Sequence, residues 1–234
     1  EYIVRKFGVA NEKIYVYPSA GINKDIFYEK SNEQKLALKD SFKFEKDTLV
    51  FGMAGRISEG KGWDTFVEAV AALKKDNVKA TFVIVGTGRE DNKLENLIRD
   101  LHLEDDIIRI GLLPQAKLCD FYNAIDYFVF PTRRESESLG LVAIEAMACG
   151  TPVIASDFAA PKYYIKDGVN GFKFKVNDSK EMVVIMKKCC TSIDKQNYQI
   201  LHDGAVETAK MYFSGRIRRE LESVMNCTTK TGGV

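Results

Sequence analysis

The chain has 234 residues, of which 45% are hydrophobic and 29% charged, and 34 lysines and arginines nearly balance 33 aspartates and glutamates. This composition excludes a disordered chain, and no apolar run of about eighteen residues is present to form a transmembrane helix. The net charge of +1 argues against a nucleic-acid partner, because nucleic-acid-binding modules usually carry a basic excess. The five cysteines lack a CxxC spacing, so we expect a reducing, cytoplasmic location.

The first residues have a pattern typical of a helix end at residues 1–9, followed by a strand at residues 14–17 and a loop at residues 18–21. A helix that is already in progress at the first residue suggests a piece of a longer protein. We therefore expect residues 1–27 to be the end of a preceding domain and a linker. Residues 28–211 are expected to form one domain, and residues 212–234 a C-terminal helix and tail.

Five short apolar segments, rich in β-branched and aromatic residues, are typical of parallel strands that helices cover on both faces. They are residues 48–54, 80–85, 107–110, 127–130 and 152–155. Between them, apolar residues recur with helical spacing, as in Trp63, Phe66, Val67 and Val70 and again in Leu94, Leu97, Ile98 and Leu101. The alternation predicts an α/β fold with a Rossmann-like doubly wound parallel sheet, whose ligands bind at the carboxyl ends of the strands.

A glycine-rich loop from Gly55 to Gly62 follows the first core strand and precedes a helix. Its sequence, GRISEGKG, departs from a P-loop at the last position, where Gly62 replaces the Ser or Thr that holds magnesium. A P-loop-like nucleoside triphosphatase is therefore the least favoured interpretation. Arg56 and Lys61, beside glycine backbone at a helix start, are suited to binding a diphosphate without metal, although a solvated turn would have the same composition.

A second loop follows the fourth strand and leads into an apolar helix that ends at Gly150. The start of this helix offers unpaired N–H groups to a phosphate or sugar oxygen. Glu137 precedes the helix and Glu145 lies within it, so each carboxylate is placed to accept hydrogen bonds from the hydroxyls of a different sugar ring. The alternative for Glu137 is an interaction with the helix dipole, whereas Glu145 stands among apolar residues and needs a partner.

Two groups of arginines have open interpretations. Arg133 and Arg134, in the second loop, either contact a charged sugar or an acceptor phosphate, or face solvent. Arg216, Arg218 and Arg219, on the final helix, either make a weak peripheral contact with an anionic membrane or belong to a surface that packs on another domain.

Taken together, these motifs resemble the signature of the retaining, nucleotide-sugar-dependent glycosyltransferases of family 4, which have the GT-B fold. The matching features are Gly55-Arg56 with Lys61-Gly62, Ile110-Gly111 with Pro114 and Leu118, Phe121-Tyr122 with Asp126, Glu137 and Glu145 followed by AMACGTPVIAS, and Asp167-Gly168 with Asn170-Gly171-Phe172. The resemblance extends over residues 14–224, and the joint pattern is far more specific than any one of its pieces.

The resemblance implies a role for each matching residue. Arg56 and Lys61 would bind the donor diphosphate and, with Glu137 at the transferred sugar, form the catalytic group. Glu145 would hold the ribose hydroxyls. The other donor-binding positions would be backbone near the sugar and phosphates, at Gly55, Ser138, Leu139, Gly140 and Leu141, and a surface for the base, at Ile110, Gly111 and Leu118.

The resemblance also implies a reaction, in which a UDP- or GDP-linked sugar is transferred with retention to a glycan or lipid-linked acceptor, without a metal or other cofactor. A preceding domain, of which this chain holds only the end, would bind the acceptor. Leu139 replaces the usual aromatic residue, which we expect to change the pocket wall near the sugar, and the segment around Ser19 has an extra residue. A non-catalytic nucleotide-sugar-binding module remains the alternative to an enzyme.

Overall fold

The computed structural model describes residues 6–11, 14–15, 21–45, 47–192 and 194–230, with side chains as far as residue 226. Much of the predicted helix end at residues 1–9, half of the predicted strand at residues 14–17 and most of the loop at residues 18–21 lie outside the described residues. Ile14 and Tyr15, which are described, are not in a strand.

Strands and helices alternate along the described part of the chain. Its strands are β1 (Leu49–Ala54), β2 (Ala80–Val85), β3 (Ile107–Ile110), β4 (Tyr127–Phe130), β5 (Val153–Ser156) and β6 (Gly171–Phe174). Its helices are α1 (Asn32–Ser41), α2 (Trp63–Lys75), α3 (Asp91–Asp100), α4 (Gln115–Ala124), α5 (Leu141–Ala148), α6 (Pro161–Tyr164), α7 (Ser179–Ser192), α8 (Lys195–Lys210) and α9 (Ser214–Lys230). The five predicted strands are present within one residue at each end, whereas β6 has no counterpart in the prediction.

The strands form one parallel sheet in the order β3-β2-β1-β4-β5-β6. β1 lies between β2 and β4, so Phe51 pairs with Phe82 on one side and with Tyr127 on the other. The strand order reverses between β1 and β4, and in doubly wound sheets a ligand crevice opens at this point, outside the carboxyl ends of the strands. The predicted Rossmann-like architecture is confirmed.

Helices cover both faces of the sheet, and this explains why the strands are apolar at almost every position. On one face, the ring of Phe51 stacks on those of Phe82 and Tyr127, with centroids 6.1 and 5.5 Å apart. On the other face, the buried ring of Tyr122 packs edge-on against Phe128 at 5.4 Å. The core is therefore continuous through the sheet and leaves the strand ends as the place for ligands.

The segment before α1 is tied to the start of α9. Ile22 donates its backbone N–H to the carbonyl of Tyr212 (2.9 Å) and accepts a hydrogen bond from the backbone N–H of Ser214 (3.0 Å). The side chains of Ile22 and Phe27 are buried, so this part of the predicted linker packs on the sheet domain.

The final helix, expected within residues 212–234, begins at Ser214 and continues to Lys230. Residues 231–234 lie outside the described residues. Within the described part of the chain, no helix is long and apolar enough to cross a membrane.

Candidate functional site

The two loops in which the sequence predicts ligand-binding residues meet at the carboxyl edge of the sheet. The loop after β1 is fixed to β2, because the N–H of Gly55 donates to the carbonyl of Val85 (3.1 Å). The loop after β4 is fixed to the loop after β1, because the N–H of Arg133 donates to the carbonyl of Gly60 (2.8 Å). Residues far apart in the sequence thus form one site.

Gly62 ends the first loop and caps α2 in a left-handed conformation, with φ of 74°. A Cβ atom at this position would lie 1.9 Å from the carbonyl oxygen of Pro131. Backbone conformation and steric overlap together exclude a serine or threonine here. The hydroxyl that holds magnesium in a P-loop therefore has no place in this loop, which disfavours the P-loop interpretation.

A pocket of about 240 Å³ opens above the first loop. Three of the side chains that line it are cationic, and they come from both loops: Arg56 and Lys61 from the first and Arg134 from the second. The remaining lining residues are small or apolar, namely Met53, Ala54, Gly55, Phe130 and Val142. A concave surface with several cations and little acid is suited to an anionic ligand.

Lys61 and Glu137, which the sequence places in separate loops, form an ion pair. The ammonium nitrogen of Lys61 lies 2.6 Å from Oε2 of Glu137, and both side chains are more than four-fifths covered. The same ammonium lies 5.9 Å from the ring centroid of Phe130, which lines the pocket. The cation predicted to bind the diphosphate, which lines the pocket, therefore holds the carboxylate predicted to contact the sugar.

The start of α5 presents free backbone donors. Gly140 is the N-cap and has no side chain to bond the first turn. Within the described part of the chain, the N–H groups from Ser138 to Val142 make no hydrogen bond, whereas the next one, of Ala143, bonds to the carbonyl of Gly140 (2.9 Å). Five successive free donors at a helix N-terminus, of which the Val142 residue lines the pocket, can bind a phosphate or sugar oxygen.

Leu139 points into the core and not into the pocket. Its side chain is 7% exposed and packs in the same cluster as Phe130 and Tyr164. The expectation that the missing aromatic residue changes the pocket wall is therefore wrong, because the side chain at this position belongs to the core. The hydroxyl of Tyr164 donates to the carbonyl of Leu139 (3.0 Å), which holds the backbone of the loop in place.

Glu145 follows Val142 by three residues and so lies on the same side of α5, one turn further from the pocket. Its carboxylate accepts a hydrogen bond from the hydroxyl of Tyr122 (3.1 Å), and this is the partner that a carboxylate among apolar residues requires. Burial raises the pKa of Glu145 to about 7, and the bond from Tyr122 only partly opposes the rise. Tyr122 was signalled by the motif with Asp126, but its contact with Glu145 was not predicted.

Comparison with known proteins identifies the family. Residues 34–200 match the family model described as glycosyl transferases group 1. The chain belongs to this family. It is 31% identical over 178 residues to a D-inositol 3-phosphate glycosyltransferase of Xylanimonas cellulosilytica, a match that covers 73% of this chain and 41% of the relative. It is 30% identical over 165 residues to an alpha-monoglucosyldiacylglycerol synthase of Acholeplasma laidlawii, a match that covers 70% of this chain and 41% of the relative. The chain thus spans about two fifths of the length of these relatives.

Solved structures support the fold of this group 1 glycosyltransferase chain. Anabaena Alr3699/HepE in complex with UDP matches 95% of this chain and 60% of its own, with a TM-score of 0.82 and 22% identity. The C-terminal domain of the group 1 glycosyltransferase LpcC from Francisella tularensis matches 81% of this chain and 97% of its own, with a TM-score of 0.70 and 24% identity. The predicted GT-B relationship is confirmed, and the described fold matches that of the LpcC C-terminal domain.

The positions predicted for the base lie at the same edge of the glycosyltransferase domain but outside the pocket. Ile110 ends β3, and its carbonyl accepts a hydrogen bond from the N–H of Gly86 (2.9 Å). Gly111 is exposed, with open space where a side chain would be, and Leu118 is half-buried against the core. Leu112, between them, is 82% exposed and offers a further apolar surface at this edge.

The two arginines of the second loop have different environments. Arg133 makes a bidentate ion pair with Asp64 on α2, at 2.7 and 2.8 Å. Burial acts to raise the pKa of Asp64, but the bonds from Arg133 outweigh it and lower the pKa below its usual value. Arg133 is thus committed to holding the loop on α2, whereas Arg134 is at the pocket.

A larger cavity of about 810 Å³ lies at the opposite, amino edge of the sheet, between α1 and α8. Several of its charged groups are paired with one another, as in Lys39 with Asp126 (2.7 Å) and Lys35 with Glu29 (3.1 Å). The residues that line it include none of the predicted site residues. The smaller pocket, where cations and free N–H groups converge, is therefore the candidate site of this glycosyltransferase chain.

Proposed function

We propose that this chain is the donor-binding part of a retaining glycosyltransferase. It binds a nucleotide-diphosphate sugar and, together with a further domain, transfers the sugar to a glycan or lipid-linked acceptor. The observation that carries the proposal is the convergence of the pocket cations, the five free N–H groups of residues 138–142 and the Lys61–Glu137 pair at the carboxyl edge of the sheet. Membership of the glycosyltransferase family supports it.

Each group has a proposed part in the reaction. Arg56, Lys61 and the start of α5 stabilise the negative charge that develops on the departing diphosphate, without a metal ion. Glu137, held by Lys61 at the pocket wall, lies toward the transferred sugar and stabilises positive charge at its anomeric carbon. Glu145, one turn further along α5, accepts hydrogen bonds from the ribose hydroxyls.

UDP is the first nucleotide to test. The solved structures of Anabaena Alr3699/HepE contain UDP, UDP and glucose, or UDP-glucose. Their identity to this chain is 22–23%, so we carry the nucleotide over only as a proposal and keep GDP as the alternative. The sugar, the acceptor, a cytoplasmic location and a contact between the α9 arginines and an anionic membrane stay predictions.

The test of the proposed function is a calorimetric titration of the 234-residue chain with UDP, GDP, uridine, UDP-glucose and pyrophosphate, with and without chelator. We expect binding of a nucleoside diphosphate, unaffected by chelator, and no efficient sugar transfer by this chain alone. Failure to bind any nucleoside diphosphate, or binding that requires a divalent metal, would contradict the proposal. Transfer by the full-length protein distinguishes an enzyme from a non-catalytic binding module.

Glu145 gives a pH-dependent prediction. Ribose hydroxyls donate to the ionised carboxylate, and with a pKa of about 7 this form becomes scarce as the pH falls below neutrality. Because only the ionised fraction is competent, the affinity for UDP-glucose should fall about tenfold between pH 8 and pH 6. The diphosphate of UDP-glucose does not titrate in this range, so the effect reports on the protein.

Glu145→Gln is the matched control for this pH dependence. The variant should bind UDP-glucose about 10- to 100-fold more weakly at pH 8, the range for a lost bond to a charged group, and its affinity should not change between pH 8 and pH 6. Pyrophosphate, which has no ribose, should bind the variant and the parent equally. An equal loss for pyrophosphate would mean that Glu145 is structural.

A further inference from the structure

The three cations of the pocket differ in whether they already have a counter-charge. Lys61 is paired with Glu137 at 2.6 Å. Arg56 and Arg134 are exposed, and neither forms an ion pair or side-chain hydrogen bond within the described part of the chain. Two arginines that line the pocket therefore have their full charge and hydrogen-bonding capacity unused.

The backbone of Arg134 is firmly placed beside the first loop. The hydroxyl of Thr132 lies 3.4 Å from the carbonyl of Gly60, to which it donates, and accepts from the N–H of Arg134 (3.4 Å). The N–H of Arg133 donates to the same carbonyl of Gly60. These bonds fix where the side chain of Arg134 begins, although the side chain itself is exposed.

The stem of Arg134 passes over Gly60 on its way to the pocket. A Cβ atom on Gly60 would lie 2.5 Å from Cγ of Arg134, and the φ of Gly60 is 80°. Glycine at position 60 thus leaves the path of the arginine open. Arg56 reaches the pocket from the end of β1 and Arg134 from the loop after β4, so the two guanidinium groups approach from two different walls.

The neighbouring Arg133 shows that charge and position in this loop do not by themselves place an arginine at the pocket. Arg133 has the same charge and lies in the same loop, but both of its guanidinium N–H edges that face α2 are bonded to Asp64. Arg134 has no such acidic partner, and its side chain lines the pocket instead.

The charges of the pocket match a diphosphate. Arg56, Lys61 and Arg134 contribute +3 and Glu137 contributes −1, so the net charge is +2. The diphosphate of a nucleotide sugar carries two negative charges, one on each phosphate. If Lys61 keeps its bond to Glu137, the two phosphate charges are balanced by the two free guanidinium groups.

We propose that Arg134 is a further ligand of the donor diphosphate and forms, with Arg56, a two-arginine clamp beside Lys61, whose charge is shared with Glu137. The proposal rests on the proposed function, since it assigns a further residue to the same site. A guanidinium is preferred to an ammonium here because its planar fork can bond two phosphate oxygens at once.

The test is a calorimetric titration of UDP, and of GDP in parallel, into the parent chain, Arg134→Gln, Arg134→Lys and Arg99→Gln. Arg99 is the charge control, because it lies on α3 and its side-chain hydrogen bond is to Asn96. We expect Arg134→Gln to bind the nucleotide about 10- to 100-fold more weakly, the loss for a charge-assisted bond, Arg134→Lys to recover part of the affinity, and Arg99→Gln to stay within about twofold of the parent. Pyrophosphate should show the same loss in Arg134→Gln.

The results of this titration distinguish a failure of the two-arginine clamp from a failure of the proposed function. If the parent binds UDP or GDP and Arg134→Gln binds it equally well, or no worse than Arg99→Gln, the two-arginine clamp is wrong and the proposed function stands. If the parent binds neither nucleotide, both fall. Arg134→Gln should keep the urea midpoint of the parent, because the side chain is exposed and unpaired, so a weaker complex cannot be attributed to unfolding.

Discussion

Lys61→Ala is expected to weaken the binding of UDP by more than about 100-fold, a larger loss than any other single substitution in the pocket should cause. The substitution removes an ammonium group and also leaves Glu137 without its ion-pair partner. The side chain of Glu137 is 15% exposed, so water only partly compensates for the missing cation. An unpaired carboxylate at the wall of a diphosphate pocket repels the ligand, and this repulsion adds to the lost attraction.

The double variant Lys61→Ala/Glu137→Gln separates the two effects. Removing the carboxylate should restore about tenfold of the affinity lost in Lys61→Ala, because residues in direct contact do not contribute additively. Lys93→Ala is the control for the loss of one lysine, since Lys93 is 72% exposed and pairs with Glu90 at 2.8 Å. A double variant that binds UDP no better than Lys61→Ala would show that Glu137 does not face the phosphates.

Arg56→Ala should cost less, about 10- to 100-fold, because it removes a charge-assisted bond without leaving an acid behind. The expected difference in affinity loss between the Arg56 and Lys61 variants depends on the ion pair of Lys61 with Glu137.

The ion pair joins Lys61 and Glu137, which are 76 positions apart in the sequence. The sequence predicted that Lys61 and Glu137 both belong to the site, since each lies in a loop that follows a core strand and the strands are parallel. It did not predict that they contact each other, because contacts between loops depend on the path of the backbone between strand ends.

The contacts of Arg133 and Arg134 were equally unpredictable from the sequence. The two are adjacent, equally charged and part of one loop, so sequence reasoning had no ground to separate them. The partner of Arg133 is Asp64, 69 positions away on another element. Only the ion pair between Arg133 and Asp64 on α2 shows that one arginine is occupied, while the other lines the pocket.

The fold was more predictable than the site for a physical reason. Strands covered on both faces are apolar at almost every position, so β1 to β5 appear in the sequence as short apolar runs rich in β-branched and aromatic residues. β6 was not predicted because it begins with a glycine, includes the half-buried Lys173 and has no β-branched residue. Helix α1 was not predicted because it has no buried residue and hence no apolar stripe, although Ser31 and Gln34 form a capping box at its start.

Leu139 shows how a correct motif can carry a wrong inference. Its position in the loop before α5 suggested a side chain at the pocket wall. The side chain of Leu139 instead enters the core, and the backbone N–H groups of residues 138–142 are left without a partner in the described part of the chain. In this loop the ligand-binding atoms belong to the backbone, and backbone direction is not encoded by the identity of one side chain.

Gly62→Ser, which completes the P-loop sequence, is expected to destabilise the chain by more than about 3 kcal/mol. A residue with a Cβ atom loses about 1–2 kcal/mol in the left-handed conformation that Gly62 adopts. The new Cβ would also lie 1.9 Å from the carbonyl oxygen of Pro131, a backbone atom that cannot move without displacing the loop after β4. Urea unfolding monitored by circular dichroism measures the loss as a lower midpoint.

Gly215→Ser is the matched control for this substitution, because a Cβ on Gly215 would have its nearest neighbour, a terminal nitrogen of Arg219, at 4.0 Å. This variant should unfold at the midpoint of the parent. The comparison bears on function as well as stability, since the steric argument is what separates this loop from a magnesium-binding P-loop. A Gly62→Ser chain that is as stable as the parent and hydrolyses a nucleoside triphosphate with magnesium would refute both the packing of Pro131 on Gly62 and the metal-free diphosphate site that depends on it.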